Sequence, residues 1–157
     1  MKLTLLTIGK TDDAYINEGI TRYTDRIRHY MPFEMVVLPD VKRSKGLTPE
    51  MQKRAEAKII SEQLTPTDIV CLLDENGKEY TSRAFADYIT KTSNSGARRL
   101  IFIIGGPYGF DDEIYSKANH KISLSRMTFS HQMVRLIFAE QLYRAMTIIR
   151  GEPYHHD

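Results

Sequence analysis

Covalent cross-links have almost nothing to work with in this chain. Among 157 residues Cys71 is the one cysteine, so an internal disulfide is excluded and a reducing compartment suits the protein. The thiol sits inside the apolar run Asp-Ile-Val-Cys-Leu-Leu (68 to 73) with no electropositive neighbour in sequence, which reads as a buried, inert side chain rather than a nucleophile. An excess of one charge is equally missing. With 22 basic and 20 acidic side chains the net charge is +2, too small for the whole chain to bind polyanions, so nucleic-acid contact must come from local clusters. The candidates are Lys42-Arg43-Ser44-Lys45, Arg98-Arg99, Arg126, Arg135, Arg144 and Arg150. No apolar run approaches the ~20 residues of a membrane span. The opening ten residues are too short for a signal-peptide core and lack a small-residue cleavage site, so a cytoplasmic protein with no membrane partner is expected.

Several common chemistries also lack their residues. His29, His120 and His131 have no ligand spacing to one another, and His155-His156-Asp157 reads as a mobile tail, so no metal site is expected. Ser130-His131 is more simply a helix N-cap and its neighbour than part of a nucleophilic triad. The dinucleotide fingerprint would need glycine at position 104, where isoleucine stands, and Pro107 removes an amide that a phosphate cradle would use.

What is present is an alternation of strand and helix patterns. Residues 2 to 8, 33 to 38, 68 to 73, 100 to 104 and 120 to 124 have strand character. The runs at 68 to 73 and 100 to 104 are apolar throughout, as strands buried on both faces are. Helices are predicted over 12 to 30, from Pro49 to about Leu64 with Thr48 as N-cap, over 82 to 92, in a short turn after Asp111-Asp112-Glu113, and over about 130 to 149. Asp74-Glu75-Asn76-Gly77 has the chemistry of a turn ending the third strand. The pattern predicts a single-domain α/β fold, a mostly parallel sheet with helices on both faces. The final helix is apolar nearly all round and needs cover on more than one side, which points to a homodimer formed through it.

Ligands of open α/β sheets bind beyond the carboxyl ends of the strands. Here those ends are Leu72-Leu73-Asp74, Ile104-Gly105-Gly106-Pro107-Tyr108-Gly109 and Leu124-Ser125-Arg126-Met127-Thr128-Phe129. Apolar walls with free main-chain groups suit a flat heterocycle held by backbone hydrogen bonds.

The segments Ile-Ile-Gly-Gly-Pro-Tyr-Gly-Phe (103 to 110), Leu124 to Arg135, Ala139 to Ala145 and the terminal Pro-Tyr-His-His-Asp are similar in kind, order and spacing to those of the RlmH family of bacterial ribosomal RNA methyltransferases, in the SPOUT superfamily. The resemblance covers essentially the whole chain. It implies a C-terminal trefoil knot, a homodimer, and S-adenosyl-L-methionine held by Leu73, Gly105, Gly106, Leu124, Ser125, Arg126, Met127, Thr128 and Phe129. The substrate it implies is a pseudouridine of 23S rRNA in the assembled 70S ribosome, methylated at N3. Tyr154 and His155 are then candidates for holding the nucleobase, with His155 a candidate proton acceptor. Arg144, four residues after Glu140, either orients the helix through an ion pair or contacts substrate. Arg126 departs from the uncharged residues expected in a cofactor loop and is expected to point outward. Two alternatives stay open at this point: methylation of another base or ribose of rRNA or tRNA, and a catalytically silent RNA-binding assembly factor.

Overall fold

The computed structural model describes residues 1–41 and 46–157; the basic cluster at 42 to 45 lies outside the described residues. Strands and helices alternate along the chain: β1 (Lys2–Ile8), α1 (Ala14–Ile27), β2 (Phe33–Leu38), α2 (Pro49–Ser61), β3 (Asp68–Glu79), α3 (Ser82–Asn94), β4 (Arg99–Ile104), α4 (Asp112–Lys117), β5 (His120–Ser123) and α5 (Met133–Arg150). The five strands form one sheet in the order β2-β1-β4-β3-β5, and every pairing is parallel.

Alternation along the strands divides the core in two. Leu3, Leu5, Cys71, Leu100 and Phe102 face α1, α3 and α5, meeting Ile27, Phe85 and Phe138. Leu6, Ile8, Leu72, Ile101 and Ile103 face α2 and α4, meeting Ala57, Ile60 and Ile114. Both sheet faces are therefore covered, which is why the central strands carry no polar alternation. The predicted start of α2 is observed in detail: Pro49 opens the helix and the Thr48 side chain accepts from the Met51 amide at 3.2 Å. Thr81 and Asp111 cap α3 and α4 in the same way. Ser130 Oγ accepts from the Met133 amide at 3.1 Å, but the helix proper begins at Met133 with Gln132 as its cap residue, so the N-cap lies two residues beyond the position expected.

The third strand departs from the sequence reading. It does not stop at Leu73. Asn76 donates its amide to Asp74 Oδ1 at 2.8 Å, the local turn that these residue types favour, but the chain then rejoins the sheet. Leu73 and Lys78 both register with Ile122 of β5, so residues 74 to 77 bulge out of the strand. At Gly77 a Cβ would lie 2.6 Å from the Ile122 backbone nitrogen, and glycine is what allows that approach.

Candidate active site

The carboxyl ends of β3, β4 and β5 surround a cavity of about 610 Å³, within the range of small-molecule sites. Its walls come from Leu73 to Asn76, from Ile104 to Phe110, from Leu124, Ser125 and Met127 to His131, and from Tyr115, Ile122 and Val134. Every cofactor residue expected from sequence lines it except Arg126. That side chain is 88% exposed and pairs with Glu79 at 3.2 Å, pointing away from the cavity.

The glycine loop is a tight turn as well as a wall. Gly109 donates its amide to the Gly106 carbonyl at 3.2 Å, with Pro107 second and Gly109 fourth in the turn. Beneath it lies Glu56 of α2, which sequence reasoning missed. It is 3% exposed, accepts from Gln52 Nε2 at 3.1 Å and from the Gly106 backbone, and fills the space that a side chain at 106 would need. Burial raises its pKa, and the Gln52 and Gly106 hydrogen bonds oppose that shift. The available signal was an acid at four-residue spacing between Gln52 and Ile60, on the face that α2 buries.

The neighbouring loop is shaped by its own serines: Ser125 Oγ accepts from the Met127 amide at 2.9 Å, and Ser123 Oγ donates to the Ser125 carbonyl at 3.1 Å. Gln132 and Arg135 then tie the start of α5 to the loop after β1. Gln132 Nε2 donates to the Lys10 carbonyl at 3.0 Å, and Arg135 donates to the Ile8 and Gly9 carbonyls at 2.6 and 2.8 Å. Arg135 is 1% exposed. It is an internal clamp and cannot reach RNA, contrary to its place among the basic candidates. Arg99 pairs with Asp68, whereas Arg150 is exposed.

The cavity's electrostatics are one-sided. Among the described lining residues the formally charged side chains are Asp74 and Glu75, both acids presented by the bulge in β3. No cluster of three or more His, Cys, Asp or Glu side chains able to hold a metal occurs among the described residues. No described helix is long and apolar enough to cross a membrane.

The predicted catalytic residues cluster with each other and away from the cavity lining. Arg144 pairs with Glu140 and lies with its guanidinium carbon 4.8 Å from the Tyr154 ring centroid. His155 Nδ1 is 3.4 Å from Arg144 Nη1, and Tyr154 donates its hydroxyl to Glu140 at 3.1 Å. The tail, read as mobile from sequence, is docked. Asp157 pairs with Arg83 at the start of α3, and Tyr30 donates to Glu152 at 2.6 Å. Burial first, then Tyr23 and Glu140, raise the Tyr154 pKa, so its hydroxyl stays protonated.

Comparison with known proteins identifies the family. A family model described as "Predicted SPOUT methyltransferase" matches residues 1–155. The protein named Ribosomal RNA large subunit methyltransferase H of Parabacteroides distasonis is 54% identical over 100% of both chains. Its namesake from Cytophaga hutchinsonii is 57% identical, covering 99% of this chain and 100% of that one. Among solved structures, a probable methylase family protein from Haemophilus influenzae superposes with a TM-score of 0.52 at 9% identity, covering 99% of this chain and 70% of the other, a likeness of fold alone. With a family match spanning almost every residue and relatives alike over their full lengths, the chain belongs to the SPOUT methyltransferase family.

Proposed function

We propose that the protein is an S-adenosylmethionine-dependent ribosomal RNA methyltransferase that modifies N3 of a pseudouridine of 23S rRNA in the assembled 70S ribosome, working in the cytoplasm as a homodimer. The names of its full-length relatives support the rRNA substrate. The observation that carries the cofactor is the charge of the cavity. A pocket whose described charges are both negative repels the phosphates of ATP or NAD and suits a ligand that is cationic at its reactive atom. S-adenosylmethionine supplies such an atom, a sulfonium carrying the methyl group to be transferred.

The chain's own residues supply position and dryness. Gly105 and Gly106 let a ligand approach the main chain of the loop, while Leu73, Leu124 and Phe129 offer apolar walls. N3 of the base carries a proton that must leave, and His155 is the acceptor in this reading. Tyr154 offers a ring for stacking, and Arg144 holds both through its contacts to the tail. Because the tail cluster does not line the cavity of its own protomer, the homodimer is the arrangement in which one copy's tail serves its partner's cavity. The groove between α1 and α5 supports such an interface: Met133, Leu136 and Ile137 are half-buried there beside Tyr15, 64% exposed.

A trefoil knot belongs to the same proposal. In support, the chain leaves β5 at one sheet edge, lines the same cavity as the glycine loop after β4, and contacts the loop after β1 through Gln132 just before entering α5. The test is incubation with methyl-labelled S-adenosylmethionine and intact 70S ribosomes, followed by mapping of the labelled base. Label at N3 of a 23S pseudouridine is expected. Label on another base, a ribose or tRNA would replace the specificity, and failure to bind the donor would overturn the reading.

A further inference from the structure

We propose that Asp74 is the residue by which the pocket tells the cationic methyl donor from the neutral product left after transfer. The inference rests on the cofactor reading above and concerns a charge rather than a shape. During transfer the bond from the methyl carbon to sulfur breaks and its electron pair stays on sulfur. The new bond forms from the N3 lone pair, and the N3 proton passes to an acceptor. The sulfonium thereby becomes a thioether, and the pocket loses one positive charge. Donor and product share adenine, ribose and the amino-acid end. A cavity wide enough for the donor admits the smaller product, so shape alone gives little preference for the donor.

Asp74 is built for the electrostatic task. The bulge in β3 turns it out of the sheet and into the cavity wall at the strand's carboxyl end. Its two oxygens are fixed by different elements: Oδ1 accepts from the Asn76 amide at 2.8 Å, and Oδ2 accepts from the Tyr115 hydroxyl of α4. Both donors are neutral, so they orient the carboxylate without cancelling its charge, and a carboxylate with about four lone-pair sites retains acceptor capacity toward the cavity. Among the described residues no Lys, Arg or His pairs with it. Tyr115 is suited to hold it: burial, then the Asp74 contact, pushes its pKa up to about 12, so it remains a donor at neutral pH. The other acids near the cavity are placed differently. Glu75 is exposed, and Glu56 lies below the glycine loop outside the lining.

Titration calorimetry on the intact protein, with S-adenosylmethionine, S-adenosylhomocysteine and sinefungin, tests this. Sinefungin bears an amine on a carbon in place of the sulfur and is cationic there, though it carries no transferable methyl. The wild-type protein is expected to bind both cationic ligands more tightly than the thioether, and Asp74→Asn to weaken both about tenfold while changing the thioether less than twofold. A second, variant-free reading keeps the test decisive if the substitution disturbs folding: the wild-type preference for donor over product should shrink between 50 mM and 1 M salt, as a partly solvated charge contact does. Equal weakening of all three ligands by Asp74→Asn, or a preference indifferent to salt, would overturn the assignment. Failure of the folded wild-type protein to bind any of the three would instead remove the cofactor reading on which it stands.

Discussion

Gly106→Ala puts the smallest side chain into the tightest place in the site. Gly106 is not among the positive-φ glycines, so alanine meets no backbone penalty and the effect is steric alone. Its Cβ would sit 2.6 Å from Glu56 Oε2 and 2.8 Å from Glu56 Cδ. Real Cβ atoms do not come so near, so either the carboxylate swings away or the loop lifts. Swinging away loses the hydrogen bonds from Gln52 and the Gly106 backbone, and bonds to a charged group contribute about 1.5–3 kcal/mol each. With partial compensation by water or protonation, the variant should lose about 2–4 kcal/mol of stability by urea unfolding. If the loop lifts instead, the cost appears as weaker donor binding by calorimetry. Glu56→Ala empties the contested space, so adding Gly106→Ala in that background should cost less than about 0.5 kcal/mol. Strictly additive losses in this double-mutant cycle would refute the claim that Glu56 and Gly106 share one space.

Other perturbations separate the remaining parts. Removing residues 154 to 157 should leave donor affinity within about twofold and lower turnover on ribosomes by about 100-fold or more, the scale of general acid–base catalysis; loss of donor binding would contradict the division between cavity and tail. Asp68→Asn should cost about 3 kcal/mol at pH 7, because it leaves the Arg99 guanidinium facing an uncharged partner. Burial works to raise the Asp68 pKa, but hydrogen bonds from Arg99 and Thr65 more than offset it and the value is lowered. Its contribution is therefore complete above the unfolded value of about 4 and lost as pH falls through the folded value. The stability gap between wild type and variant should narrow on acidification in urea melts at pH 7 and pH 3. Burial pushes the Cys71 thiol up to about 12, so thiol reagents at pH 8 should label it only after denaturation; rapid labelling of native protein would show the core to be looser than described.

Much of the frame was legible because several strands and helices are bounded by unambiguous residues. Pro32 precedes β2, Thr48-Pro49 opens α2, and Gly96, at φ 82°, closes α3. Of the predicted cofactor residues, all but Arg126 line one cavity, since main-chain loops after parallel strands converge by topology. The end of β3 was not legible. Asp74 to Gly77 has the composition of a terminating turn, and nothing local reveals that β5 waits beyond it to resume pairing. Arg135 and Glu56 were hidden for another reason. A buried charge looks like a surface charge in sequence until its partners are known, and those of Arg135 lie at Ile8, Gly9 and Thr11, more than a hundred residues away. The tail misled by composition: short and polar, it is nonetheless held by Arg83 and Glu140.

The Arg135 clamp bears on how the molecule is made. Because a chain emerges from the ribosome amino end first, the strand that heads the sequence must wait with its terminal carbonyls wet until the last helix arrives to donate to them. Maturation of the pocket is therefore tied to the synthesis of α5: a nascent chain stalled before α5 carries the glycine turn yet lacks the seal at the foot of β1, and it should neither hold a methyl donor nor resist proteolysis.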